Sequence, residues 1–266
     1  MKLVFECSMP RTGSQLLKNI LKQNNELAVQ SDSPLHNRFK KFREDFNTQI
    51  TTATIDSKQL TDCFNNFWIN GLKAWGKTIN SNAKVYIDSD RMWSDDLYTI
   101  LNSFKGKVII LIRDLKDIIN SMDNISKNSS EFKNYFSESY DYNKSSQYQR
   151  TIKYFESKPL RVPLTAIKTI IEEDIDNILF LKYEDLIKSP KDEINKIYKF
   201  LNLNVFEHDF ENIESLDRVD TPFLPYGRHT VHSSYKTFKK EKRNLNNEVE
   251  KFIENNFKWY YDKFYN

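Results

Sequence analysis

Glycine is scarce in this chain, with 5 in 266 residues, and cysteine is scarcer, with 2. Cys7 and Cys63 cannot build a disulfide framework, which excludes the small stapled scaffolds of secreted domains. Long apolar runs are missing too: no window approaches the roughly 20 residues of a membrane span. The first residues do not read as a signal peptide, because Pro10 and Arg11 stand where the apolar segment should continue. A cytoplasmic setting with no membrane partner is therefore expected. Excess charge is also lacking. Forty Lys and Arg against 37 Asp and Glu leave a net +3, so no global field argues for a nucleic-acid partner. What is present is a 39% hydrophobic, 29% charged composition, fitting a globular chain of one large α/β domain or two small ones. The reading adopted is one domain over residues 1–266.

Against that shortage, Gly13 stands out. Residues 2–7 form a short apolar run around Leu3, Val4 and Phe5, of the length and side-chain type of a buried strand. Cys7 closes it as a small core residue. Pro10-Arg11-Thr12-Gly13-Ser14 follows, and then Leu16, Leu17, Ile20 and Leu21 recur at helical spacing. Strand, tight loop and helix point backbone N–H groups and a helix N-terminus at one spot, which suits a phosphate or sulfate. Thr12 and Ser14 add hydroxyls and Arg11 a forked positive charge. An ordinary turn with Ser14 as a cap satisfies the same pattern.

Strand and helix signals keep alternating. Leu27-Ala28-Val29 is a strand candidate, residues 35–54 are mixed and basic without a period, and Leu60, Phe64, Phe67, Trp68, Gly71, Leu72 and Trp75 mark one face of a long helix. Residues 84–87 form another strand, and a helix is expected through Leu97, Ile100, Leu101 and Phe104. Residues 107–112 carry the strongest buried-strand signal, followed by a helix through Ile118, Ile119 and Met122. Residues 126–149 read as a long polar excursion. Further helices are expected through Tyr154 and through Leu164, Ile167, Ile170 and Ile171. Residues 178–181 make another strand, Ser189-Pro190 starts a helix, and a final helix carries Val249, Phe252, Ile253, Phe257 and Tyr260. The pattern implies a three-layer α/β fold with a central parallel sheet of about five strands, P-loop NTPase-like in outline.

Three features fall at carboxyl ends of expected strands, where open α/β sheets place ligands. They are the loop from Pro10 to Ser14, Arg113-Asp114, and Tyr183-Glu184-Asp185. Ser121 follows Arg113 about one turn into a helix, so both can converge on a second anion. Two anion sites on one sheet edge imply a ligand with phosphates at both ends of a nucleoside.

In these segments the chain resembles the cytosolic-type sulfotransferases. MPRTGSQLL is similar to their loop for the 5′-phosphosulfate of 3′-phosphoadenosine 5′-phosphosulfate (PAPS). VIILIRDLKDIINSM resembles their 3′-phosphate motif, and LFLKYEDLIKSP their segment with a tyrosine near the adenine. IDSDRMW and YKFLNLNVFEHDFENIE are similar to segments of bacterial and phage members. The resemblance implies that Arg11, Thr12, Gly13, Ser14 and Gln15 hold the phosphosulfate, Arg113 and Ser121 the 3′-phosphate, and Tyr183 the base. It implies PAPS as co-substrate, no metal, and transfer to a small-molecule, sugar or peptide acceptor. Independently of the family, sulfuryl transfer asks for positioning and for charge neutralisation at the bridging oxygen, which assigns Arg11 a catalytic role.

The chain also departs from the family pattern. Arg11 replaces a common Lys, Gln15 a hydroxyl residue and Leu16 a Trp. The Gly-rich basic loop is not recognisable, with Arg228, Lys236 or Lys239 as stand-ins or simply a solvated face. No His follows residues 84–87, where animal members carry their base. Asp88 and Asp90 occupy that place, as base or as helix caps, with Arg91 beside them for an acceptor carboxylate. His36, His229 and His232 are the other options for the base, and His36 and His229 also for contacting the acceptor. His229 and His232 have metal-like spacing but no third ligand. Two other readings compete: a P-loop kinase or hydrolase, disfavoured by the missing Gly-Lys-Ser/Thr ending, and a non-catalytic module using basic residues 236–243 on a polyanion.

Overall fold

Each short apolar run in the sequence becomes a strand, and the amphipathic stretches between them pack on the two faces of the resulting sheet. The computed structural model describes residues 1–31, 33–50, 56–128, 144–214 and 242–266. Strand β1 (Lys2–Glu6) leads into helix α1 (Ser14–Leu21) and β2 (Leu27–Gln30); α2 (Leu35–Ile50) and α3 (Ser57–Ile79) precede β3 (Val85–Ser89). Two short turns, a 3₁₀ turn at Arg91–Asp96 and a π turn at Thr99–Ser103, connect to β4 (Lys107–Ile112). Then come α4 (Leu115–Asn128), α5 (Gln147–Glu156), α6 (Lys158–Glu172) and β5 (Ile178–Lys182). The chain closes with α7 (Tyr183–Lys188), α8 (Pro190–Leu201), α9 (Asn247–Asn256) and α10 (Lys258–Phe264).

The strands lie in the order β2-β3-β1-β4-β5, and every pairing is parallel. The parallel five-strand sheet expected from the sequence is therefore the sheet that forms. β1 is central, with Leu3 opposite Tyr86 on β3 and Phe5 opposite Val108 on β4. Side chains alternate between faces. Leu3, Phe5 and Cys7 join one core with residues of α3, α4, α6, α9 and α10, while Val4, Ile87, Ile109 and Leu111 join another with α1 and α8. All carboxyl ends point one way, and the central strand hands the chain into α1 there. Burial drives the Cys7 thiol pKa well up, as expected of a core cysteine.

Four expectations change. Residues 35–50 form α2, although no period is visible, because its inner face is completed by charged residues. Phe39 packs among Phe64, Trp68 and Trp93, while His36 and Arg43 both reach Asp96. On α3 only Phe64, Trp68, Leu72 and Gly76 are buried; Phe67 is 62% exposed, and Trp75 is exposed as well. A stripe at i, i+4 and i+8 suffices: Phe64 and Trp68 pack against Phe39 of α2, and Gly76 lies against Tyr86 of β3. The helix expected through Leu97 and Phe104 is replaced by the two short turns. The terminal helix breaks at Phe257 (φ −121) into α9 and α10, which lets α10 turn its tyrosines toward β4. Of the polar excursion, residues 129–143 lie outside the described residues, as do Arg228, His229, His232, Lys236 and Lys239.

Asp88 shows how the carboxyl edge is held. It is 0% exposed and accepts from Trp93 Nε1 (2.7 Å), Ser33 Oγ (2.9 Å) and the Tyr86 hydroxyl. Burial outweighs those donors and raises its pKa to about 6. A carboxyl raised in the folded state contributes stability that is complete below its unfolded pKa and is lost as pH rises through the folded value. From pH 4 to pH 7 the wild type should therefore lose up to ~3 kcal/mol relative to Asp88→Asn. Denaturant unfolding of both proteins at the two pH values checks this; a difference that stays flat with pH would refute it.

Candidate active site

The loop after β1 is built from two residues in the left-handed region, Arg11 (φ 65) and Gly13 (φ 89). For Arg11 this conformation costs about 1–3 kcal/mol, which surrounding contacts must supply. Those contacts are present. Thr12 is fully buried and donates its hydroxyl to the Met9 carbonyl at 2.8 Å, while Arg113 Nη1 donates to the Arg11 carbonyl at 2.6 Å. Gly13 tolerates no side chain: a Cβ there would lie 2.5 Å from Cδ2 of Tyr183. Gly13 serves as N-cap of α1 without a side-chain partner for the helix's first amides, so the N-terminus of α1 opens toward the loop.

Residues from three strand ends meet here. Arg11 Nε donates to Ser121 Oγ on α4 at 3.1 Å. The Arg113 guanidinium lies 4.5 Å from the centre of the Tyr183 ring, a cation–π contact, and Tyr183 in turn packs against Gly13. Arg113 Nε is buried with no hydrogen-bond partner among the described residues, an expensive state for a charged donor. Arg11, Gly13, Arg113, Ser121 and Tyr183, singled out in three separate segments of sequence, thus form one cluster. Gln15 points away from it, donating to Asn19 Oδ1 along the helix at 3.1 Å.

A cleft of ≈ 150 Å³ adjoins this cluster on the β3 side, bordered by Glu6, Ser14, Lys18, Ser89, Asp90 and Arg91. Asp90 caps the 3₁₀ turn, accepting from Met92 N at 2.9 Å. Of the two aspartates, Asp90 opens on the cleft, while Asp88 is enclosed. His36 is 1% exposed, bonded to Asp96 at 2.9 Å and packed edge-on to Trp93. Its ring belongs to the core rather than to the cleft. Sequence reading missed Glu6 and Lys18, both 3% exposed; the signal was a charge set inside each of two otherwise apolar segments. Larger depressions, ≈ 660 Å³ around His208 and ≈ 830 Å³ beside Gln23, touch none of the clustered residues. Among the described residues no three His, Cys, Asp or Glu come together to hold a metal, and no helix is long and apolar enough to cross a membrane.

The C-terminal residues were a second omission. Arg243 donates to Asp114 Oδ2 and Asp117 Oδ1, both at 2.6 Å. Tyr260 holds the Arg113 carbonyl (2.9 Å), Tyr261 the Asp114 carboxylate (2.8 Å) and Tyr265 Glu184 (3.1 Å). Glu184 also accepts from Asp114 N at 3.1 Å. This clamp fixes the backbone from which Arg113 projects. Nothing in the basic run marks Arg243 apart from its neighbours, so sequence alone could not find it.

Residues 4–208 match the model of a family described as the Sulfotransferase family. No curated protein matches the chain. Among solved structures, the sulfotransferase domain from the curacin biosynthetic pathway is similar, with a TM-score of 0.54 at 16% identity over 96% of this chain and 97% of that one. The sulfotransferase domain of the Synechococcus PCC 7002 olefin synthase gives a TM-score of 0.49 at 17% identity, over 97% of this chain and 94% of that one. The first likeness shows a shared fold, and the family match bears out the resemblance read from the three motifs.

Two outcomes follow from this geometry. Gly13→Ala must displace the Tyr183 ring and strain the loop, lowering unfolding free energy by about 1–3 kcal/mol; equal melting temperatures for the two proteins would contradict the packing. Arg243→Gln breaks two charge-assisted contacts and should cost about 1–3 kcal/mol, with faster amide exchange in residues 113–117. Unchanged exchange there would mean that the clamp does not hold the segment.

Proposed function

The chain belongs to the sulfotransferase family, and we propose that it moves a sulfuryl group from PAPS to a hydroxyl or amine of its acceptor by in-line displacement. The observation that carries the donor assignment is the buried Arg113 Nε, without a partner among the described residues, set beside Arg11, Ser121 and the N-terminus of α1. That arrangement supports an anion site with one donor still unmatched. The residues fit a nucleotide with two anionic ends. Arg11, the Gly13 and Ser14 amides and the Ser14 hydroxyl would hold the phosphosulfate, Arg113 and Ser121 the 3′-phosphate. Thr12 contributes its amide alone, since its hydroxyl closes the loop. Tyr183 offers its ring beside Gly13.

PAPS, when bound, supplies the sulfuryl group and a phosphate leaving group. Arg11 neutralises the charge that grows on the leaving side; an arginine does this as a fixed cation, without giving up a proton. Asp90, with a carboxylate on the cleft, takes the proton of the acceptor. Asp88 keeps β3 and the following turn in register, so Asp90 is aimed by a buried neighbour. Ser121, which now accepts from Arg11 Nε, would turn its hydroxyl to the 3′-phosphate, leaving Arg11 for the phosphosulfate.

The desulfonated nucleotide PAP should raise the melting temperature, and ATP with magnesium should not. Asp90→Asn should keep that shift and lose on the order of 10²–10⁴ in kcat. A protein unmoved by PAP, or an Asp90→Asn variant with full turnover, would overturn the donor or the base assignment respectively.

A further inference from the structure

Glu6 and Lys18 are buried charged residues at the carboxyl edge that the reading above leaves without a task. Glu6 ends the central strand and Lys18 lies one turn into α1; both are almost completely buried. Ser89 connects them, donating to Glu6 Oε2 at 2.5 Å and accepting from Lys18 Nζ at 3.1 Å. Glu6 Oε1 also accepts from Ser8 N at 3.1 Å. A pair of buried charges is a weak source of stability, since desolvation offsets most of their attraction. A well-packed apolar pair would hold α1 on the sheet as well or better. Their position is more telling: both border the cleft next to Ser14, opposite Asp90 and Arg91.

Every described residue lining that cleft is charged or a serine. Ligand sites are ordinarily lined in large part by apolar and aromatic side chains, with a few polar groups to orient the ligand. Among the described residues that apolar wall is missing. An aromatic or alkyl acceptor entering the cleft would desolvate the partly exposed Asp90 and Arg91 and give them nothing in return. A molecule with several adjacent hydroxyls meets them differently, because each hydroxyl donates to a carboxylate and accepts from a cation or serine. Glu6 and Lys18 are already desolvated and fixed by Ser89, so binding asks little further reorganisation of them.

Resting on the sulfotransferase reading above, we infer that this cleft is the acceptor site and that it selects a hydroxyl-rich, sugar-like acceptor over phenols and simple alcohols. Glu6 and Lys18 are its specificity-determining pair, and Asp90 is the carboxylate the reacting hydroxyl meets.

The test measures sulfuryl transfer from PAPS by mass spectrometry to methyl glucoside and maltose on one side and to 4-nitrophenol and 1-octanol on the other. The sugars should be preferred by at least about tenfold. Glu6→Gln should keep the PAP-induced rise in melting temperature while losing about tenfold or more of transfer to the sugars. Ser89→Ala, which keeps both charges but removes the link between them, gives the same readout if Glu6→Gln fails to fold. Preference for 4-nitrophenol or 1-octanol, absence of any transfer to the sugars, or variants that transfer at the wild-type rate would overturn the inference while PAP still stabilises the protein. Absence of PAP stabilisation would instead overturn the nucleotide reading, and this one with it.

Discussion

The hydrogen bond from Arg113 Nη1 to the Arg11 carbonyl is the constraint on which the rest of the site depends. It ties the loop leaving β1 to the end of β4, two neighbouring strands whose parallel pairing already sets their carboxyl ends side by side. A guanidinium donating to a backbone carbonyl can hold a non-glycine residue in the left-handed region that Arg11 adopts. The same guanidinium covers Tyr183, and Tyr183 fills the space that Gly13 leaves. Loop, strand end and ring are thus one packed unit. Change any member, and the others lose the surface that defines them.

The site also shows how a nearly neutral protein can present a strongly cationic spot. The net charge is +3, yet Arg11, Arg113, Lys18 and Arg91 gather along one edge of the sheet. Asp114, Asp117 and Glu184 stand behind Arg113, bound to Arg243, Tyr261 and Tyr265, so the acidic side chains steady the segment without occupying its front. On the β3 side Glu6 and Asp90 instead border the cleft itself. Segregation of charge over a few ångströms, rather than its total, gives this edge its chemistry.

The strands were legible because buried parallel strands are near-continuous apolar runs, and residues 3–5 and 108–112 could be little else. The clustering of Arg11, Gly13, Arg113, Ser121 and Tyr183 was legible for a related reason: four of them follow strand ends, which parallel strands put together, and Ser121 is carried there by the helix after β4. Helix α2 was hidden because its inner face spends His36 and Arg43 on Asp96, which breaks the hydrophobic period. On α3 the aromatic stripe was over-read, since Phe67 has helical spacing but among the described residues stacks on Phe42, itself exposed. Glu6 and Lys18 were invisible as a pair because their meeting depends on Ser89, which lies 71 positions from Lys18 and 83 from Glu6. Pattern along a chain reports periodicity, not which strand edge a helix will face.

Tyr260 and Tyr261 each reach the Arg113–Asp114 segment from 147 positions away. Contacts of such separation are among the last to be rewarded during folding, because closing a long loop costs entropy before any interaction forms. The sheet can therefore assemble while the mouth of the site is still soft. Competence to grip a ligand should ripen late, as a maturation step after the scaffold is complete, and it should be the first property lost when the protein begins to come apart.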